Sequence, residues 1–322
     1  MKKYIKIFSV SILILFLVLV LVNLFPVSLL PEAETILHNR KESEEKSLDK
    51  KLPLAMFFKQ NDKPTAEKFP DYVVLMKNFE AFQMPVSIDY SNSLSSNLQW
   101  NQAYLDYLKD RPEKEKLEGL SASVNFLEKV LASKSSFLNF VVTLAALDAD
   151  LEWMQQQKWS KTSLTGIYIL HKKFQDFVDQ REMFLKTALD SELATQLSFL
   201  DRFHPRDIED RSWMNPFWKM FFNKNATMNE AYLFTNQLKE ETSCLKSYSC
   251  ENLCKDAKNC LVKEYMNMNP YLKIRNPFGM SLIKLVMFKY QSSFVKIQTA
   301  FKKMDDMLAA LNQLRNQPRQ WK

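Results

Sequence analysis

The fold class follows from residues 117–153, which read LEGLSASVNFLEKVLASKSSFLNFVVTLAALDADLEW. Apolar residues recur here at steps of three and four, the period of an amphipathic helix. They are Leu120, Val124, Leu127, Val130 and Leu131, followed by Leu138, Val141, Val142, Leu144, Ala145 and Leu151. The stretch lies between Pro112 and Pro205, within ninety-two residues that contain no proline and two glycines. Because turn signals that would separate strands are missing, this region predicts long helices.

Two further segments repeat the helical pattern. A third helix is predicted from Leu164 through Tyr168 and Phe174 towards Leu189. The last predicted helix runs from about Ser281 to Asn316 and carries an apolar seam, formed by Phe294, Ile297, Phe301, Met304, Leu308 and Leu311. We expect this seam to pack inside the chain's own helical bundle, with pairing to a partner helix as the alternative. The sequence therefore predicts an all-α fold.

The N-terminal residues predict a membrane anchor. Residues 7–25 are apolar except for Ser9, Ser11 and Asn23, and a helix of this length spans about 30 Å of hydrocarbon. Lysines precede the run and glutamates follow it, so residues 1–6 are expected in the cytoplasm and the rest of the chain outside it. The alternative is a cleaved signal peptide, whose apolar core is usually shorter, about 7–15 residues.

The chain beyond the anchor divides by composition. Residues 26–60 are expected to form a charged stem, because residues 32–51 hold six acidic and five basic residues and few apolar ones. Residues 52–58 turn apolar again and are expected to be a first core contact, or else to rest on a bilayer surface. Residues 61–322 are expected to form the helical extracytoplasmic domain.

The four cysteines form one cluster. Cys244, Cys250, Cys254 and Cys260 all lie within seventeen residues. Their even number suits an oxidising, extracytoplasmic location, so we expect two disulfides in a short hairpin, with three connectivities left open. A zinc site would favour Cys-x-x-Cys pairs, and a catalytic dithiol would need the same spacing, which this sequence does not contain. We therefore expect no metal.

Scarce glycine and histidine restrict the enzyme classes. The 322 residues include three glycines and three histidines. A P-loop, a dinucleotide-binding fingerprint and a nucleophile elbow each need closely spaced glycines that this sequence does not contain. The sequence gives no ground for a cofactor, and it favours a protein that is not an enzyme without deciding the question.

One polar segment could still carry chemistry. Residues 202–211 combine a histidine with three arginines and three carboxylates. His204 would act as a base near neutral pH, with Asp207 and Glu209 as the neighbouring carboxylates. The alternative is an interhelical loop whose charges are solvated. Asp148 and Glu152, one helical turn apart, are interpreted as part of an exposed acidic face.

An aromatic segment follows directly. Residues 213–222 read WMNPFWKMFF, and the candidate partner-binding residues are Trp213, Phe217, Trp218, Phe221 and Phe222. If these side chains are buried, they belong to the core instead. Asn215-Pro216 predicts a helix start within the segment, and Asn276-Pro277 predicts another before the last helix. Gly279 follows closely and is expected to meet a positive φ or a close backbone approach.

Charge is distributed unevenly along the chain. The part beyond the anchor is nearly balanced overall, which argues against a nucleic-acid binder. Residues 261–322, however, hold eleven basic and three acidic residues. The last helix is expected to present a basic face to anionic lipid, an acidic polymer or an acidic protein, or to pair with acidic residues of the same chain.

These patterns predict a single-pass protein of the inner membrane of a bacterial envelope, held in lipid by residues 7–25, with its bulk in the periplasm. The favoured function is binding of an envelope protein, as an assembly, scaffold or protective factor. One alternative is an enzyme that acts on envelope polymer or lipid, centred on His204. Another is a ligand-sensing ectodomain, for which six cytoplasmic residues would require a separate signalling partner.

Overall fold

The computed structural model describes residues 27–47, 63–79, 88–133, 137–203, 222–248 and 276–316. All regular elements in these ranges are helices, which confirms the all-α prediction. The α-helices are α1 (Pro31–Ser47), α2 (Phe69–Asn78), α3 (Ile88–Leu108), α4 (Glu113–Ala132), α5 (Phe137–Gln156), α6 (Leu164–Asp179), α7 (Arg181–Arg202), α8 (Lys224–Glu240), α9 (Cys244–Ser247) and α10 (Pro277–Asn316). Short 3-10 turns precede α2, α6 and α9.

The predicted anchor at residues 7–25 lies outside the described residues. Among the helices of the described ranges, none has both the length and the apolar character needed to cross a bilayer. The anchor therefore remains a prediction.

By its internal contacts the chain forms two compact units. The first combines residues 1–41, 196–237 and 252–292, and the second combines residues 42–195, 238–251 and 293–322.

In the first unit, residues 27–41 of the segment that the sequence assigns to a stem are hydrogen-bonded and partly buried. The backbone N–H of Leu30 donates to Asn229 Oδ1 at 2.8 Å, and Asn225 Nδ2 donates to the carbonyl of Val27 at 2.8 Å. Along α1, Ala33, Leu37 and Arg40 are buried at steps of four and three, so one side of this charged helix faces the interior. At its end, Lys41 pairs with Asp201 of α7 at 2.7 Å.

The start of α10 confirms the predicted Asn-Pro helix signal. Asn276 Oδ1 accepts from the backbone N–H of Gly279 at 3.2 Å, three residues on, which is the bond of an N-cap residue. The same oxygen accepts from the N–H of Asn223 at 2.9 Å, and Asn276 Nδ2 donates to Thr227 Oγ1 at 2.8 Å. Gly279 does not have a positive φ. A Cβ on it would overlap the side chains of Thr227 and Asn276. Glycine is therefore needed here because a larger residue does not fit, not because of its backbone conformation.

The core of the second unit lies among α3, α4 and α5. These three helices pack on one another, α2 packs on α4, and α4 also contacts α6. The predicted apolar residues of α4, from Leu120 to Leu131, are buried as expected. On α5 the predicted stripe is partly wrong, since Leu138 is 54% exposed and the buried side instead carries Phe140, Thr143 and Leu147. The cause is that α5 is apolar over much of its circumference, so periodicity alone does not identify its buried side.

The predicted third helix is two helices in the structure. α6 ends at Asp179 and α7 begins at Arg181. The backbone N–H of Gln180 and the guanidinium of Arg181 both donate to carbonyls of the last turn of α6; the bond from Arg181 Nη1 to Val178 is 3.0 Å. Because these carbonyls are satisfied at the junction, α6 ends there without a glycine or a proline.

The apolar seam of α10 packs inside the second unit. Phe294, Ile297, Phe301, Met304 and Leu308 are all buried. The ring of Phe294 stacks on that of Phe137 at 6.2 Å between centroids, and Phe301 stacks on Phe177 at 5.6 Å. These contacts support packing within the chain rather than pairing with a partner helix. The side chain of Leu311 is outside the described set.

Candidate functional site

The polar segment that the sequence proposes as a catalytic centre is not part of the described structure. His204, Asp207 and Glu209 follow the end of α7 but lie outside the described ranges. The enzyme hypothesis centred on His204 therefore stays a prediction.

The aromatic segment is described only at its last residue. Trp213, Phe217, Trp218 and Phe221 lie outside the described ranges, whereas Phe222 is 8% exposed. Its ring is edge-on to Phe203 at 5.5 Å and to Phe278 at 5.8 Å. At this position the structure therefore shows a core side chain rather than an exposed partner-binding one.

One of the four cysteines lies in the described part of the chain. Cys244, at the start of α9, is buried and is not a free thiol. Cys250, Cys254 and Cys260 lie outside the described residues, so the two-disulfide hairpin remains a prediction.

Lys246 and Tyr248, which follow Cys244, contact charged side chains of α7 and α10. The hydroxyl of Tyr248 donates to Asp305, and the guanidinium of Arg181 lies 5.3 Å from the centre of the Tyr248 ring. Arg181 also lies 3.6 Å from the Asp305 carboxylate. Burial raises the pKa of Asp305, while Arg181 acts in the opposite direction. Nearby, Lys246 pairs with Glu182 at 3.3 Å.

The predicted acidic face of α5 pairs with α10, and of its two carboxylates Glu152 is exposed whereas Asp148 is half-buried. Lys303 Nζ lies 2.8 Å from Asp148 and 3.0 Å from Glu152, and these bonds, that to Asp148 foremost, raise the pKa of Lys303. This pairing was one alternative that the sequence left open for the basic C-terminal region. A shallow groove of about 400 Å³ lies beside the ion pairs, lined by Gln155, Thr299, Lys302, Lys303, Asp306, Met307 and Ala310. The groove is open to solvent, so it is a surface depression rather than an enclosed pocket.

The first two turns of α6 present apolar side chains to solvent. Leu164, Tyr168 and Ile169 are 38%, 47% and 53% exposed, respectively. The opposite side of the same helix buries Ile167, Leu170, Phe174, Phe177 and Val178. The sequence assigns Leu164 and Tyr168 to the core stripe, and this assignment is wrong. The helix is thus apolar on two sides but needs one side for its own packing.

A carboxyl group lies in the core of the second unit. Asp150 on α5 is fully buried, as are Asn101 on α3 and Ser123 on α4. Asn101 Nδ2 donates to Asp150 Oδ1 at 2.8 Å. Ser123 Oγ lies 2.7 Å from Asp150 Oδ2 and 2.8 Å from Asn101 Oδ1. The three side chains, which we call the Asp150 ring, therefore form a closed cycle that joins three helices.

The surroundings of the Asp150 ring disfavour negative charge. Burial raises the pKa of Asp150 to about 7, although the hydrogen bonds from Ser123 and Asn101 oppose the rise. Burial also raises the pKa of Tyr104 to about 12 and raises that of Tyr72 well above its ordinary value, and in both cases the Asp150 carboxyl adds to the effect. No cation among the described residues contributes to the pKa of Asp150.

Sequence reasoning misses both the α6 surface and the Asp150 ring. A signal for the ring does exist, because Asp150 falls at helical spacing from buried Thr143 and Leu147. A carboxylate in the register of a buried side is unusual and indicates a special environment. No comparable signal distinguishes exposed apolar residues from core residues on α6.

Comparisons with known proteins give no match to a family model, to a curated protein or to a solved structure. Within the described ranges there is also no group of three or more His, Cys, Asp or Glu side chains placed to hold a metal ion.

Proposed function

We propose that the chain is a single-pass, membrane-anchored protein of the bacterial envelope that acts by binding another protein. The anchor at residues 7–25, the extracytoplasmic location and the cysteine hairpin come from the sequence. The observation that carries the binding function is the exposed apolar surface of α6, which consists of Leu164, Tyr168 and Ile169. We call this set the α6 surface.

The α6 surface has the features of a protein-binding patch. Tyr168 lies one helical turn after Leu164, and Ile169 is the next residue, so the three side chains lie on the solvent half of α6, where covering them would remove apolar area from water. The side chains are carried by a rigid helix whose other side is held in the core, so little ordering cost accompanies binding. An aromatic residue at the middle of the patch is typical of the anchors of protein interfaces.

The charges around the α6 surface indicate the partner's chemistry. Lys158 and Lys161 precede the patch and Lys172 follows it on the same side of the helix, and all three are exposed. The Glu113 carboxylate also lies here, where it accepts from the backbone N–H of Ser160, so the neighbouring charges are basic by excess rather than uniformly. This excess favours a partner with apolar anchors bordered by acidic side chains. This chemistry suits an acidic protein surface better than an uncharged one.

The carboxylates of α5 give little support to catalysis. Asp148 and Glu152 are held by Lys303, and Asp150 is enclosed in the core. A general acid or base must reach the substrate, and enclosure prevents this for Asp150. These observations favour binding over an enzymatic reaction at this part of the chain.

Photocrosslinking from the full chain in its native membranes tests the proposed surface. A photoreactive amino acid replaces Tyr168 in one variant and exposed Lys186 of α7 in a control. We expect a discrete protein adduct from position 168, absent from position 186, whose yield falls about tenfold when Leu164→Ser and Ile169→Ser are added. The captured protein, once purified, should bind the full chain directly. Equal adducts from both positions, or no adduct at position 168, would refute the proposal.

Membrane topology is tested separately. A reporter fused after residue 322 is expected to be active only outside the cytoplasm, and the chain should remain in the membrane fraction after alkaline extraction. Alkylation of freshly lysed cells should find all four cysteines blocked. Cytoplasmic reporter activity or free thiols at all four positions would contradict the proposed location.

A further inference from the structure

Counting the hydrogen atoms that the Asp150 ring needs shows whether its carboxyl group is ionised. The ring contains three contacts, each of which needs one hydrogen atom between its two heavy atoms. Asn101 supplies one hydrogen to the ring and the Ser123 hydroxyl supplies one. The third hydrogen must come from Asp150, which has one to give only as the un-ionised acid.

This count does not depend on how the Asn101 amide is oriented. If its oxygen and nitrogen are exchanged, Asn101 donates to Ser123, Ser123 donates to Asp150, and Asp150 must then donate to the amide oxygen. Without its proton, Asp150 would place Oδ1 2.8 Å from the amide oxygen with no hydrogen atom between the two acceptors. In either orientation, three hydrogen bonds form only with a protonated Asp150.

We propose that Asp150 is held as an un-ionised acid that closes the ring between α3, α4 and α5, and that loss of its proton loosens the packing of these helices. The ring is thereby a pH-sensitive device in the core of the second unit. This inference is independent of the proposed binding function.

The groups around Asp150 explain why the ionised form is unfavourable there. Asn101 and the phenol of Tyr104 face it from α3, Ser123 from α4, and the phenol of Tyr72 from α2. Lys303 pairs with Asp148 and Glu152, which lie on the opposite side of α5 from Asp150. Once ionised, Asp150 is a buried charge without a cation, and either Ser123 or Asn101 loses one bond.

The direction of the response follows from the two protonation equilibria. In the closed state the carboxyl has a pKa of about 7, whereas in an opened state exposed to water it has the ordinary value of 3.8. Opening is therefore least favourable below about pH 4 and becomes easier as the pH rises towards 7. Above pH 7 the effect is complete, because the carboxyl is ionised in both states.

Amide hydrogen exchange of the full chain in detergent micelles tests the device. After correction for intrinsic rates, opening of α3, α4 and α5 should increase on the order of a hundredfold between about pH 5 and about pH 8. Asp150→Asn should remove most of this increase, because its amide can donate to Ser123 as the acid does, yet it cannot ionise. Asp148→Asn is the matched control on the same helix and should retain the wild-type increase.

Infrared titration of the wild-type chain, labelled at its aspartate carboxyls, provides the second measurement. We expect one un-ionised carboxylic acid to persist at about pH 6, where water-exposed aspartates are ionised. This signal decides the matter if Asp150→Asn fails to fold. The proposal is overturned if all aspartates are ionised at about pH 6, or if folded Asp150→Asn keeps the wild-type pH response.

Discussion

Replacing Gly279 with alanine should destabilise the first unit through the side chains that meet at the start of α10. A Cβ at this position would overlap Thr227 Oγ1 and the amide nitrogen of Asn276, and would lie 2.5 Å from Asn276 Oδ1. Asn276 is fully buried and its side chain makes hydrogen bonds to Asn223, Thr227 and Gly279. The new methyl group must therefore displace a cap that has no free space around it.

The expected loss follows from these bonds. Displacing Asn276 removes up to three hydrogen bonds of about 1 kcal/mol each, and the gain of alanine over glycine in a helix offsets about 1 kcal/mol at most. We expect Gly279→Ala to lower the free energy of unfolding by about 2 to 3 kcal/mol. Thr227→Ala in the same chain should recover part of the loss, since it removes one of the overlapping atoms.

Gly166→Ala is the matched control. A Cβ there would overlap Leu117 Cδ2 and lie 3.1 Å from its Cγ, and Leu117 is only partly buried. Because the tip of a leucine can rotate away, we expect a change within about 1 kcal/mol of zero. Denaturant titration followed by circular dichroism measures both variants. Equal stability of Gly279→Ala and the wild type would refute the steric argument.

The remaining predictions concern the second unit. Ionisation of Asp150 should lower the free energy of unfolding by up to about 4 kcal/mol as the pH rises from about 4 to about 7, because its pKa is 3.8 in water and about 7 in the fold. Denaturant titrations at several pH values measure this loss, and Asp150→Asn, which cannot ionise at this position, is the reference from which the wild type should differ. Tyr248→Phe should cost about 1 kcal/mol, since it removes the bond to Asp305 but keeps the ring beside Arg181. An unchanged denaturation midpoint for Tyr248→Phe would contradict that role.

The sequence predicts the buried residues correctly in α4 and in the described part of the α10 seam. In α4 and in the seam of α10, apolar residues at steps of three and four are the residues that the structure buries. The junction between α6 and α7 is not predictable in the same way, because Gln180 and Arg181 are both compatible with a continuous helix. Their role as partners of the α6 carbonyls depends on contacts that only the folded chain has.

The two features on which the proposals rest both reverse the rule on which sequence reading depends. Periodicity assigns apolar residues to the interior and polar ones to the surface. On α6, Leu164 and Ile169 are outside, and on α5 Asp150 is inside. A single sequence gives little sign of such exceptions. Asp150 is stabilised by side chains of α3 and α4, and the α6 surface is proposed to be covered by a partner, and neither contact is visible in the local sequence.

The Asp150 ring also bears on why α5 adopts one orientation in the core. A helix that is apolar over most of its circumference can pack with several rotations about its axis at similar hydrophobic gain. Asp150 removes this freedom, because its carboxyl is satisfied only where Asn101 of α3 and Ser123 of α4 both reach it. A rotation that kept Asp150 in the core but moved it away from these two side chains would bury the acid without partners, at a cost of several kcal/mol. The residue that we propose to weaken the fold as pH rises therefore also favours one packing of the three helices.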